Sequence, residues 1–337
     1  ACIETFRESW ISRRLHHAWL LSGPKGVGKA TLAYRLSRFL LLPQKQDAQS
    51  QTSFYVEPSN PVFARIASGG HSDLITIELR KNEKTGKMLT EIAVQDVRRV
   101  SRLVSLTPGE ETWRIIIIDG VEKMNASAAN AILKHLEEPP AQTIYFLINQ
   151  TPSRILPTIR SRCRLLAMKP LSDELLSEII DSSLFPGLST ADNQLLVSIS
   201  NGSPGKALAL GLNDGIQLYN QLTSALSKLP DINIEALHRL SDEVINRKNQ
   251  QAFYTLLELI DFWLTRTISD MAEVESSYSS RNEDRIVQNL LGRGDLEYWC
   301  KVWEKLNTLF AQAKNKNLEP KQVLLTTFNT LQQAMTL

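Results

Sequence analysis

Leu20-Leu21-Ser22-Gly23-Pro24-Lys25-Gly26-Val27-Gly28-Lys29-Ala30-Thr31 is the stretch whose reading decides the fold. Apolar residues lead into a glycine-punctuated turn, and a helical pattern (Leu32, Leu36, Phe39, Leu40) leads out. That is the strand–loop–helix setting of a phosphate-binding loop. Glycines let backbone N–H groups curl around an anion at a helix N-terminus, and Lys29 adds a point charge. The pattern Gly-x-x-x-x-Gly-Lys is complete from Gly23 to Lys29, but Ala30 stands where a Ser or Thr hydroxyl would hold Mg²⁺. Thr31 is one position late and, on a helix, points roughly 100° away. The loop is expected to hold phosphate and to be poorly equipped for hydrolysis.

Working outward, the spacing predicts a short amphipathic helix before Arg13-Arg14-Leu15-His16-His17, a buried strand at Ala18–Ser22 and a helix over Lys29–Leu42 stopped by Pro43. The two histidines read as a polar entry to the strand, since no further ligands cluster near them. Residues 44–70 are polar and turn-rich, with a short helix at Val62–Ala67. Leu74–Leu79 alternates like a strand, Lys81–Lys87 reads as an exposed turn, and Ile92–Leu106 carries a helical apolar stripe ended by Thr107-Pro108-Gly109. Arg114-Ile115-Ile116-Ile117-Ile118-Asp119 is a continuous β-branched run, the mark of a parallel strand covered on both faces. Asn125 or Ser127 caps a helix ended by Pro139-Pro140, and Thr143–Asn149 is a further buried strand. This alternation predicts a doubly wound α/β domain over residues 1–168.

Beyond Pro170 the strand signal fades. Short helices at Leu171–Ser183 and Asp192–Ser200 precede the turn Asn201-Gly202-Ser203-Pro204-Gly205-Lys206. Long amphipathic helices follow at Ile216–Leu229, Ile234–Ile245, Gln250–Met271, Leu296–Ala313 and Pro320–Leu337, with a polar break at Glu273–Asn289. The expected division is a small helical domain at 169–213 and an all-helical one at 214–337.

Composition sets outer limits. The chain has 337 residues, 42% apolar and 22% charged, ordinary values for a water-soluble protein of two or three domains. A net charge of +2 provides no electrostatic footprint for nucleic acid by itself. No run of 18 apolar residues occurs, no signal peptide is expected, and the three cysteines at 2, 163 and 300 are far apart. The expectation is a reducing compartment, the cytoplasm, with no membrane contact.

Two constellations could carry chemistry. Asp119 ends a strand about 90 residues after the loop and Glu122 follows three later, the arrangement that coordinates Mg²⁺ and activates water beside a phosphate loop. The alternative is a site that keeps the architecture without the turnover, and Ala30 favours it. Second, Arg154, Arg160, Arg162 and Arg164 crowd one stretch after Asn149. They form either a solvated face or a set that reaches an anion, whether phosphate of ATP or of DNA. Cys163 reads as a small packed hydrophobe, because no histidine is near to activate it.

Together these motifs resemble the clamp-loader branch of the AAA+ ATPases. The carrying residues are Gly23–Lys29, Ile115–Glu122, Met124–Ala131, Leu136-Glu137-Glu138-Pro139-Pro140, Ser161-Arg162-Cys163 and Gly202–Leu208. The resemblance runs through residues 15–215 and implies a P-loop AAA+ domain, a helical lid and an all-α oligomerisation collar. It implies that Gly23, Pro24, Lys25, Gly26, Val27, Gly28, Lys29, Ala30 and Thr31 line a weak or vestigial ATP and Mg²⁺ site, with Asp119 and Glu122 its acidic pair. It implies that Arg162 acts in trans, as an arginine finger on ATP held by a neighbouring motor subunit. The partners implied are gamma/tau and delta subunits in a five-membered ring, and through the ring a sliding clamp and primer–template DNA.

Three departures qualify this. Ala30 lacks the hydroxyl, Gly205 stands where motor subunits carry a sensor-2 arginine with Lys206 beside it, and residues 43–70 hold no Cys, so no zinc is expected. The sensor-1 position falls within Asn149-Gln150-Thr151 without a choice among them. A motor-type subunit that turns over ATP despite Ala30 is the competing reading. A stand-alone metabolic kinase would need an acceptor site and lid that this sequence does not suggest, and no polymerase site is visible.

Overall fold

The structure, a computed structural model, describes residues 2–43, 54–81, 89–105, 113–228, 241, 242, 244, 251–272, 295–316 and 318–336. Several expectations lie wholly or partly outside these residues: the first part of the 44–70 insertion, the turn at 81–87, the terminator at 107–109, the helix at 234–245 and the break at 273–289. The chain divides into two compact units, residues 1–170 and 171–337.

The first unit runs α1 (Cys2–Ile11), β1 (Ala18–Ser22), α2 (Lys29–Leu40), α3 (Pro61–Ala67), β2 (Leu74–Ile77), α4 (Val94–Ser105), β3 (Arg114–Asp119), α5 (Ala126–Glu137), β4 (Thr143–Asn149), α6 (Pro157–Arg160) and β5 (Arg164–Ala167). All five strands are parallel, in the order β2-β3-β4-β1-β5. Alternate residues of the central strands feed opposite faces. Trp19, Leu21, Ile115, Ile117, Phe146 and Ile148 pack with the side chains of α2 and α3, while Leu20, Ile116, Ile118, Tyr145 and Leu147 pack with those of α4 and α5. Burial on both faces is why these strands read as unbroken apolar runs rather than as alternating ones. Asn125 caps α5 by accepting from the Ala128 N–H at 2.9 Å, and Asn60 does the same for α3 through Val62. His16 and His17 stack on one another and bond to backbone atoms of Ala18 and Leu136, so both rings serve the entry to β1.

The sheet departs from expectation at its edge. The sequence reading ends the sheet at Asn149, yet β5 pairs with β1 from Trp19↔Arg164 to Ser22↔Ala167. Only Leu166 of its four residues is buried, and Leu165 is 48% exposed, so neither a continuous nor a full alternating signal exists. Arg162 accordingly precedes the last strand rather than following it.

The second unit is helical: α7 (Asp173–Ile179) continued by a π turn at Ile180–Leu184, then α8 (Thr190–Ser200), α9 (Pro204–Leu212), α10 (Gly215–Leu226), α11 (Gln251–Met271), α12 (Leu296–Lys316) and α13 (Pro320–Thr336). One apolar cluster runs from Leu176 through Trp263 and Trp299 to Ala334, crossing the expected boundary at 213/214. No helix among the described residues is long and apolar enough to cross a membrane.

Candidate functional site

The loop Gly23–Gly28 joins β1 to α2 at the carboxyl edge of the sheet, the edge where parallel α/β proteins place ligands. Gly28 occupies the position before α2 with φ +99°, a conformation that side chains other than glycine rarely adopt, and it offers no side-chain cap. The first N–H groups of α2 are thus left for an outside acceptor. At Gly23 the constraint is space. A Cβ there would lie 2.2 Å from the Met168 carbonyl oxygen, because the residue after β5 bonds back to Ser22, N–H to O, at 2.8 Å.

Lys29 lies under this loop, 5% exposed. Its Nζ donates to the carbonyls of Gly23 at 2.7 Å and Pro24 at 2.6 Å. The ammonium is held by the loop's own backbone. Burial pushes it below the ordinary lysine range, while the charges of Asp119 and Glu122 pull it back up. Asp119 is shifted the other way: burial raises its pKa, the Glu78 carboxylate adds to the rise, and Lys29 opposes it. Glu122 accepts from the Gln150 N–H at 3.3 Å through Oε1, and its buried Oε2 has no hydrogen-bond partner among the described residues.

Of the stretch left open at the end of β4, Asn149 is the buried member. It is 0% exposed, sits opposite Ser22 in register, and has a side-chain amide whose N and O find no partner among the described residues. A buried amide in that state is costly unless a water or polar ligand meets it. Ala30 is half-buried, its methyl set against the apolar cluster beneath α2, and Thr31 is exposed. Pro24 and Lys25 are exposed and Val27 is buried. The loop therefore suits a phosphate group. For Mg²⁺ the loop is less well equipped, because position 30 offers no side-chain oxygen.

The four arginines separate sharply. Arg164 bonds to Ser9 and lies over the Trp19 ring, pinning α1 to β5. Arg162 donates from Nη1 to the Thr158 carbonyl at 2.9 Å and from Nη2 to Glu137 Oε1 at 2.6 Å. Arg154 and Arg160 are exposed, with no ion-pair partner among the described residues. Cys163 is half-buried, and burial pushes its thiol up to about 12. Glu137 falls in a stretch that carries the resemblance, but its pairing with Arg162, like the action of Glu78 on Asp119, arises only through the fold.

A parallel α/β sheet built on a phosphate-type loop, followed by a largely helical carboxy-terminal part, defines the class. Within that class, the family described as DNA polymerase III, delta subunit, matches residues 1–172, and the chain belongs to that family. It is 32% identical over 221 residues to the DNA polymerase III subunit delta' of Escherichia coli K12, covering 65% of this chain and 61% of that protein. It is 31% identical over 261 residues to the subunit delta' of Bacillus subtilis 168, covering 77% of this chain and 68% of that one. A solved DNA polymerase III gamma-subunit-related protein from Thermotoga maritima shares the fold: TM-score 0.52, 18% identity, 99% of this chain and 100% of that one covered.

Proposed function

We propose that this chain is a delta-prime-type clamp-loader subunit, a cytoplasmic assembly protein of DNA replication that does not itself hydrolyse ATP. One observation carries the reading: the phosphate loop is shaped, but its lysine is satisfied from within. Lys29 is spent on the carbonyls of Gly23 and Pro24, and Ala30 turns a methyl where a metal-holding hydroxyl would be. Nucleotide would have to displace two charge-assisted hydrogen bonds to engage Lys29, which weakens binding. In this reading the chain joins gamma/tau and delta subunits in a five-membered ring that opens the sliding clamp and sets it on primer–template DNA. Arg162 serves as the finger, its guanidinium stabilising charge on a γ-phosphate held by the adjacent motor subunit. The small helical segment 169–213 acts as lid and 214–337 as collar.

A second reading, a motor-type subunit, is favoured by one feature. Asp119 and Glu122 lie close enough to Lys29 to shift its protonation, so the acidic half of a hydrolytic site persists. ATP hydrolysis by the reconstituted ring, with wild-type chain or Arg162→Ala, beside the chain alone, separates the two. The expected result is no turnover by the chain alone and slower turnover by the variant ring. Turnover by the chain alone that Lys29→Ala abolishes makes it a working motor instead.

A further inference from the structure

Among the described residues, the proposed finger is the one member of the arginine cluster paired with a carboxylate. Glu137 is the last residue of α5, and α5 packs on α6, whose end leads directly to Arg162. A carboxylate at a helix C-terminus opposes the helix dipole, so the dipole does not favour Glu there. Its counterpart is the Arg162 Nη2, at 2.6 Å, while the Thr158 carbonyl takes Nη1 on the other side. The guanidinium is thereby held at two points by two elements. Arg carries five N–H donors, so bonds to Thr158, Ser161 and Glu137 leave others for an incoming anion. Both partners of the ion pair are half-exposed, and such pairs contribute little to stability. A contact with so small a stabilising effect, placed against the dipole and given, among the described residues, to this arginine alone of the cluster, is explained by positioning.

We propose that Glu137 is a positioning residue for Arg162, fixing the guanidinium for its reach to a neighbouring subunit's nucleotide; the inference rests on the finger reading above. Free rotation of a long arginine side chain would otherwise be lost at the moment of reaction. The test uses the full ring and four chains: wild type, Glu137→Ala, Arg162→Ala and the double variant. Alanine is the best helix former, so Glu137→Ala should fold, and an unchanged thermal midpoint checks it. Glu137→Ala is expected to lower kcat for ATP about threefold, the kinetic equivalent of a surface ion pair, with KM unchanged. In the Arg162→Ala background the same change is expected to have no effect, because Glu137 then has nothing to position. If Arg162→Ala slows the ring but Glu137→Ala does not, the inference falls and the finger reading stands. An equal Glu137→Ala effect in both backgrounds also overturns it, as that marks a structural role. If Arg162→Ala leaves turnover untouched, the finger reading fails and takes this inference with it.

Discussion

Asp119 closes β3 with a carboxyl that burial, and then the Glu78 carboxylate, hold above its ordinary value of 3.8. The unfolded chain releases this proton at lower pH than the folded one does. Its favourable contribution is therefore complete below the unfolded pKa and is lost as pH rises through the raised, folded value. Asp119→Asn should be more stable than wild type at pH 7, with the difference shrinking toward zero below about pH 3.8. Urea midpoints of both chains across that range would check it; equal midpoints at pH 7 would contradict the burial argument. Cys163 makes the opposite kind of test. With its thiol pushed up to about 12 from an ordinary 9.0, it holds about a thousandfold less thiolate at pH 8. Native protein should leave Cys163 unalkylated by iodoacetamide under conditions that modify it fully in urea, as read by peptide mass spectrometry. Rapid native labelling would mean that the site opens. Lys29 was legible in the sequence because glycine spacing announces the loop. Its actual partners were not, since backbone carbonyls leave no residue signature.

At the scale of elements, the phosphate loop and the end of β5 share one constraint. Ser22 accepts from the Met168 N–H, and this brings the Met168 carbonyl against Gly23, leaving 2.2 Å for a Cβ that is not there. The clashing atom is backbone, so it cannot move aside without unzipping β5 from β1. Gly23→Ala should cost about 3 kcal/mol or more of unfolding free energy, in the range of severe overpacking and lost pairing. A midpoint within error of wild type would show that β5 yields easily. The same pair of elements explains what sequence reasoning could and could not see. Arg114–Asp119 was delimited to the residue because five of its six side chains are buried. β5 escapes sequence reasoning because an edge strand with one buried side chain has no period to detect. The helix expected over 171–183 was found, but its π turn at Ile180–Leu184 was not, since a one-residue change of winding barely alters the apolar stripe.

For the molecule as a whole, the arrangement of cores decides how it should come apart. Residues 1–170 enclose two apolar clusters, one on each face of the sheet, and residues 171–337 enclose a third of their own. Among the described residues each unit has buried clusters of its own, and each is within the size at which a chain forms an independent core. Trp19 is fully buried in the first unit, and Trp263 and Trp299 are buried in the second, so each reports on its own cluster. A fragment ending at Pro170 should therefore fold and unfold cooperatively in urea, with blue-shifted tryptophan emission lost in a single transition. Gly23→Ala in the full chain should then lower the transition that this fragment shows and leave the second unit's transition in place. A fragment that binds hydrophobic dye and melts without a sigmoidal transition would mean that the sheet needs residues beyond 170 to hold its core. In that case the resemblance of the first unit to its relatives would describe a fold this chain completes only at full length. Cooperative unfolding of the fragment would instead make the phosphate loop, Asp119, Glu137 and Arg162 accessible to study in a self-sufficient domain.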